Sequence, residues 1–471
     1  MKRNIVIFAG VLAVLSTGCT LGPSYRRPVV AVPQQWPGGP AAKDGAAVNE
    51  QWWTTFHDAE LESLISRAVA ANLDLRMAAA RVQEARANRG VARSNLFPQV
   101  NASAGASRDR QLVLGLNPSG FPFETNIYQG QFDMSWEADV FGRIRGEVHA
   151  ATADVAAQEE DRRNVLITLL GDVATNYTLV RGAQLRLAIA DRNIGIEQDT
   201  LKLTRDLSTA GQATDRDVAQ AEAQLEITRA TVPQLETDRD VAIHRLGVLL
   251  GSEPGSLLEE LTKAAALPPA PEEVPVGLPS DLLTRRPDIR RAESQLAAAT
   301  ARIGETKADY FPRFSLTGSA GRESTQLHLL ALGTGNVFSA GPSISLPIFT
   351  AGRIRSNVQV QEARAKEAEL TYRSTVLTAL EETENAIVGY AGDQEQVARL
   401  RRAIGADRTA LELAQVQYRA GLTDFLTVLD AERALSENED QLAQSQTNVV
   451  TRLVSLYKAL GGGWSVPPKQ S

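Results

Sequence analysis

The 471-residue chain lacks most of the residues that build catalytic and metal centres. Its only cysteine is Cys19, so no internal disulfide can form. The four histidines, His57, His149, His244 and His328, are scattered. None falls in an HxxxH or HExxH spacing, which leaves metal binding and His-based catalysis without support. Aromatic residues make up only 5% of the chain, whereas an enzyme core usually relies on them for buried area. The net charge of -7 gives no basic footprint for nucleic acid. Proline is missing from two long stretches, residues 142–210 and 352–420.

Ala, Leu, Gln, Glu and Arg fill most of the sequence, the composition of long helices and coiled coils. The N-terminus departs from this. Lys2 and Arg3 precede an apolar run from Ile5 to Leu15, which has signal-peptide length and is too short to span a bilayer as a mature helix. Leu15-Ser16-Thr17-Gly18-Cys19 follows and resembles a bacterial lipobox. The resemblance implies cleavage before Cys19 and lipid attachment there, with acyl chains supplying membrane affinity. A plain signal peptide with an incidental cysteine is the competing reading. Thr20 takes the place of the Asp that would signal inner-membrane retention, which favours the outer membrane.

The chain is written twice. Asp74-Leu75-Arg76 matches Asp288-Ile289-Arg290, Gly90 matches Gly304, and Phe97-Pro98 matches Phe311-Pro312, all 214 residues apart. Gly142-Arg143-Ile144-Arg145 matches Gly352-Arg353-Ile354-Arg355, and Ala210-Gly211 matches Ala420-Gly421, 210 residues apart. One loop between these blocks therefore differs in length by four residues, and a tandem duplication explains both registers. Leu267-Pro268-Pro269-Ala270-Pro271, with Pro275 and Pro279, reads as a connector.

Each proline-free stretch is long enough for one continuous helix of about 100 Å. Val397, Ile404, Leu411 and Tyr418 recur every seven residues, as do Val428, Leu435, Leu442, Val449 and Leu456. The first half repeats this with Leu187, Ile194 and Leu201, then Val218, Leu225, Val232 and Leu246, with Arg239 interrupting. A seven-residue repeat predicts the narrow seam of a coiled coil. Gly211 and Gly421 end the long helices, because glycine accepts positive φ, and each marks the tip of a helical hairpin.

Alternating segments make up the β portion: Tyr128 to Trp136, Phe314 to Thr317, Ser343 to Leu346, and the series Val100, Ala102, Ala104, Ala106. One apolar and one polar face suit a membrane barrel with a wet lumen; a soluble sandwich hairpin is the alternative. Four strands cannot close a barrel. Open edges are costly in lipid, so membrane-spanning strands require several chains to share one barrel.

Several motifs occur in order: Gly22-Pro23-Ser24-Tyr25-Arg26-Arg27-Pro28; Trp53, Phe56, Asp58, Leu61, Leu64 and Ile65; Arg285-Arg286-Pro287-Asp288-Ile289-Arg290; and Leu460-Gly461-Gly462-Gly463-Trp464. They resemble the outer-membrane-factor family of TolC-like and OprM-like ducts, in its NodT-like lipoprotein branch. The resemblance covers essentially the whole mature chain. It implies a mostly α fold with a β portion, built from duplicated half-repeats. Long coiled-coil hairpins would form a periplasmic α-barrel, and four strands per chain would join a shared, trimeric outer-membrane barrel of twelve strands. It also implies a homotrimer in outer-membrane lipid, docked on a periplasmic adaptor and an inner-membrane RND pump, passing drugs outward without enzymatic chemistry or cofactor.

On this pattern the regions are 1–18, a lipoprotein signal peptide; 19–60, a lipidated extended segment; 61–266, the first repeat, with a β-hairpin at about 98–140; 267–281, the connector; 282–464, the second repeat, with a β-hairpin at about 312–350; and 465–471, a tail. The resemblance implies a periplasmic gate at Asp430, Asp217 and Tyr418, and adaptor contacts at Gly211, Gln212, Gly421, Leu422 and Thr423. A ring aspartate of the family falls on Thr427, and a gate arginine on Thr423, with Asp424 and Arg419 nearby as substitutes. A solvated helix-surface aspartate is the plain reading of Asp430, and turn chemistry that of the two glycines. A protein-secretion duct of the same fold and a structural coiled-coil lipoprotein are the competing functions.

Overall fold

A computed structural model describes residues 21–36, 42–43, 49–112, 122–332 and 335–464. Cys19, the proposed signal peptide at 1–18 and the tail at 465–471 lie outside the described residues. The chain divides into two compact units, and each draws on both sequence halves. One comprises Met1–Val29, Arg81–Glu159 and Arg291–Arg373; the other comprises Val30–Ala80, Glu160–Arg290 and Ser374–Ser471.

In the second unit the short strands β1 (Ala42–Lys43) and β4 (Val274–Pro275) pair in parallel. The first unit holds a four-stranded antiparallel sheet of β2 (Gln99–Leu112), β3 (Pro122–Ala138), β5 (Arg313–Ser324) and β6 (Asn336–Ser345), in the order β2-β3-β5-β6. The two hairpins expected from the sequence are the two halves of this sheet. Register sorts its side chains by face. Ala102, Phe132, Ala320 and Phe338 pair across one face, and Val100, Met134, Gly318 and Ala340 form the next row of it. Asn101, Asp133, Ser319 and Ser339 pair across the other face. There the Ser103 hydroxyl donates to Asp133 at 2.8 Å, and Gln131 Nε2 donates to it at 2.9 Å. The outer edges of β2 and β6 have no strand partner among the described residues.

An N-terminal strap lies on α7 (Pro287–Lys307) in the same unit. The Tyr25 hydroxyl donates to Glu293 at 3.2 Å, and Arg27 pairs with Glu293 at 2.9 Å. A Cβ on Gly22 would come within 2.5 Å of the Gly304 Cα, so the crossing needs a residue without a side chain.

The second unit is built on helices. α3 (Arg143–Thr209) and α9 (Arg353–Arg419) have 67 residues each, their parts up to Glu159 and Arg373 belonging to the first unit, and α4 (Asp215–Leu249) and α10 (Phe425–Ala459) have 35 each. The duplication therefore preserves both helix lengths. Shorter helices include α2 (Leu73–Ser94), α5 (Leu258–Leu261) and α6 (Leu282–Arg285). α3 turns back into α4, and α9 into α10, to give two helical hairpins. Leu201, Leu225, Leu411, Val428 and Leu435 share one buried cluster drawn from all four helices. α1 (Ala59–Ala71) is capped by Asp58, whose carboxylate accepts from the backbone N–H of Glu60 and Leu61 and from the Tyr177 hydroxyl at 2.7 Å. Trp52 stacks on Tyr457 with centroids 5.3 Å apart. Trp464 lies beneath the guanidinium groups of both Arg163 and Arg290, at 4.7 and 5.2 Å. This contact gives one physical role to the arginine-rich motif at 285–290.

The seam is less apolar than the heptads suggest. In α9, Val397, Ile404, Leu411 and Tyr418 are buried as expected. In α3 the buried positions include Asn193, Glu197, Thr200 and Thr204. In α4 a second buried row runs through Ala221, Thr228, Leu235, Ala242 and Leu249, beside the expected one. Two rows, each repeating every seven residues and offset by three, are what a coiled-coil seam requires.

Candidate functional site: the hairpin tips and the polar rungs above them

Both tips are built alike. The Gly211 N–H donates to the Ser208 carbonyl at 2.9 Å, and the Gln212 N–H to the Leu207 carbonyl at 2.8 Å. Likewise the Gly421 N–H donates to the Tyr418 carbonyl at 3.0 Å, and the Leu422 N–H to the Gln417 carbonyl at 2.9 Å. These are Schellman endings, and the glycines adopt φ of 74° and 68° to make them. Gly211, Gln212, Gly421 and Leu422 are exposed, with Leu422 at 78%, and Thr423 is half-buried.

The helix starts differ. Thr214 caps α4 in a reciprocal box: its backbone N–H donates to Asp217 at 2.9 Å, while the Asp217 N–H donates to the Thr214 hydroxyl at 3.3 Å. Asp217 is therefore occupied in a cap within its own hairpin, with Arg216 at 3.7 Å from its other oxygen. Asp424 caps α10, accepting from the Thr427 N–H at 3.2 Å and the Thr427 hydroxyl at 2.8 Å, and the Thr423 hydroxyl donates to Thr427 at 3.0 Å. The Thr427 hydroxyl, then its backbone N–H, then nearby Arg216 hold the Asp424 carboxyl below its ordinary value. Arg216 of the first hairpin is thus felt electrostatically at Asp424 of the second, while its ion pair is with Asp217. Position 427 carries no acid, and its threonine is spent on the cap.

Tyr418 is buried against Phe425, with ring centroids 5.6 Å apart. Its hydroxyl is buried without a partner at hydrogen-bonding geometry, though Thr204 lies beside it. Burial raises its pKa, opposed by Thr204, with Asp217 adding to the rise. Asp430 is exposed and makes no hydrogen bond or ion pair with another of the described residues.

Above the tips the two hairpins are joined by polar rungs between α3 and α10. Arg186 pairs with Asp440 at 2.6 Å, Arg192 with Glu439 at 3.3 Å, and Asn193 donates to Ser436 at 3.0 Å. The Thr200 hydroxyl donates to Glu432 at 2.5 Å. Glu197 accepts from Thr228 at 2.8 Å and Gln224 at 3.1 Å. Burial, with Glu197 adding, pushes the Glu432 carboxyl up to about 7 against the opposing Thr200 hydrogen bond. Burial also raises the Glu197 carboxyl. Sequence reasoning missed these groups because Thr, Gln and Glu read as solvent-facing on a helix. The only signal was their own spacing, 193, 197, 200 and 204, which follows one helical face.

The duplicated rods and the two-faced sheet are the features to which known proteins can be compared. The family model described as outer membrane efflux protein matches residues 64–252 and 278–462. The chain belongs to that family. As an outer-membrane efflux channel of the OprM, TolC and NodT type, it resembles its relatives over nearly their whole length. It is 36% identical to the solvent efflux pump outer membrane protein SrpC of Pseudomonas putida, over 95% of this chain and 96% of that one. It is 30% identical to nodulation protein T of Rhizobium leguminosarum bv. trifolii, over 96% of each. Among solved structures it matches the outer-membrane channel OprN with a TM-score of 0.88 and 36% identity, covering 95% of this chain and 100% of that chain. The open state of the Neisseria gonorrhoeae channel MtrE matches with a TM-score of 0.81 and 30% identity, covering 94% of this chain and 98% of that chain. The efflux channel is thus placed in the outer membrane and extends into the periplasm.

Proposed function

We propose that three copies of the chain close one barrel in the outer membrane and one helical tunnel beneath it, forming the exit duct of a tripartite efflux system. The observation that carries this reading is the four-stranded sheet with one apolar face, one polar face and two unpaired edges. In lipid, each unsatisfied backbone group costs several kcal/mol, so the edges must pair with other copies. Leu370, Leu377 and Val388 on α9, and Ile227 and Val241 on α4, stay exposed in one protomer and suit helix contacts between copies. The apolar face meets lipid and the polar face lines the lumen.

Cys19 carries the lipid anchor, and the repeats keep the boundaries read from the sequence. A periplasmic adaptor docks on Gly211 and Gln212 and on Gly421, Leu422 and Thr423. An inner-membrane RND pump delivers small molecules to the tunnel, and the protein conducts them without catalysis. The tunnel opens when the hairpin tips move outward. Asp430 from three copies forms the constriction, while Tyr418 and the Asp217 cap hold the closed arrangement. Asp430→Asn tests this in planar bilayers: cation preference falls and the pore remains. Unchanged selectivity removes Asp430 from the constriction.

A further inference from the structure

The sheet separates charge by face as well as by polarity. Along the apolar face, β2 presents Val100, Ala102, Ala104 and Ala106, and then switches to Arg108 and Arg110. β3, read from the same end, presents Trp136, Met134, Phe132, Gly130 and Tyr128, and then Asn126 and Glu124. β5 presents Phe314, Leu316, Gly318 and Ala320, and then Arg322, which pairs with Gly130 and so stands about 14 Å short of the Arg108 level along the strands. Arg108 lies about 27 Å along the strand from Val100, and the apolar band of such barrels is about 25 Å tall. These three strands thus change from apolar to charged toward the ends farthest from the helices that enter the sheet.

The sign of that charge differs between the faces. On the apolar face of the described strands stand three arginines and one carboxylate, Glu124. On the polar face stand Asp109, Asp133, Glu137 and Glu323 against Arg313 alone. Toward the far ends this leaves Arg108, Arg110 and Arg322 with Glu124 on the apolar face, and Asp109 and Glu323 on the polar face; Asp133, Glu137 and Arg313 stand nearer the helices. Arg108 and Arg110 are 70% and 67% exposed and share Glu124, at 2.6 and 3.7 Å. Arg322 is held in place on the sheet: Nη1 donates to the Leu330 carbonyl at 3.0 Å and Nε to Asn336 at 3.3 Å. Leu330 belongs to α8 (Leu327–Leu332), a short apolar helix packed on β3 and β5. The remaining guanidinium donors have no further partner among the described residues, and a planar fork of donors matches phosphate oxygens.

We propose that Arg108, Arg110 and Arg322 form a basic shelf on the lipid side of the barrel that binds the phosphates of the glycolipid forming the outer leaflet. The proposal rests on the membrane-barrel reading above, with the apolar face toward lipid. Each arginine near an anionic lipid surface adds to binding, and Glu124 subtracts from it.

The test uses the full-length protein extracted from outer membranes in detergent. Its affinity is measured for bis-phosphorylated lipid A, for dephosphorylated lipid A and for inorganic phosphate. The parent binds the phosphorylated lipid well above the other two. Arg108→Gln, Arg110→Gln and Arg322→Gln together weaken that binding by roughly 100-fold. Glu124→Gln, which keeps all three arginines, tightens it about fivefold. Arg86→Gln, an exposed helix arginine, leaves it unchanged. Equal binding of the dephosphorylated lipid, equal binding of phosphate, or a triple variant that binds like the parent overturns the shelf. Failure of the parent to fractionate with the outer membrane would defeat the barrel reading instead. Insertion of the parent without selective binding defeats only the shelf.

Discussion

The two helical hairpins agree in backbone and differ in what fills the seam. Both have limbs of 67 and 35 residues. Both carry a matching rung, Glu197 with Thr228 at 2.8 Å in the first and Asp407 with Asn438 at 2.7 Å in the second, each joining residues 31 apart. At the tip the chemistry parts. The second hairpin packs Tyr418 on Phe425; the corresponding residues of the first are Ser208 and Asp215, which meet at 3.5 Å in the open. Glu222 of the first is 58% exposed, whereas its counterpart Glu432 is 5% exposed. Pro233 sits inside α4, which continues through it, whereas Ala443 stands at the matching place in α10. The difference teaches that length and turn are shared by duplication, whereas side chains follow each limb's neighbours. Both tips are capped, but only the second adds a buried aromatic contact across its turn.

The sharpest way to break this contrast is to truncate matching positions. Phe425→Ala empties a buried site and lowers stability by about 3–5 kcal/mol. Asp215→Ala removes a first-turn acid and costs at most about 1 kcal/mol. Denaturant unfolding of the full chain measures both, and equal losses would erase the distinction.

Next comes the buried acid. Glu432 is raised from the ordinary 4.5 to about 7, so folding favours its neutral form. Its contribution to stability is full below about pH 4.5 and is lost as pH rises through about 7, a change of roughly 3 kcal/mol. Thermal unfolding from pH 5 to 8 should therefore show a declining midpoint that Glu432→Gln flattens. Glu222→Gln should leave the parent's slope intact.

The caps separate the hairpins least. Thr214→Ala and Asp424→Ala should each cost about 1 kcal/mol. A much larger effect in either would mean that the cap also serves as a link between hairpins. Tyr418→Phe, which removes a hydroxyl without a partner, should change stability by less than about 1 kcal/mol. Combined with Asp217→Ala, it should raise single-channel conductance if these residues hold the tips closed.

Much of this architecture could be read from the sequence, because proline and glycine punctuate it plainly. The long limbs follow from proline-free runs, the tips from Gly211 and Gly421, and the sheet faces from period-two alternation. The rungs could not be read, because pairing is set by three-dimensional neighbours: Thr200 meets Glu432, 232 residues away. The second seam row escaped because Ala221, Thr228 and Ala242 are not strongly apolar. Asp217 shows the reverse case. Thr214-x-x-Asp217 fits a capping box in the sequence as well as in the fold, a local role that stands beside the gate position implied by the family resemblance.

If separate copies complete one barrel, the mass of the intact, detergent-extracted protein is that of an oligomer. Native mass spectrometry should report three copies, with the oligomer dissociating only when the sheet unfolds. A folded single subunit that keeps its β-structure in detergent would contradict the account.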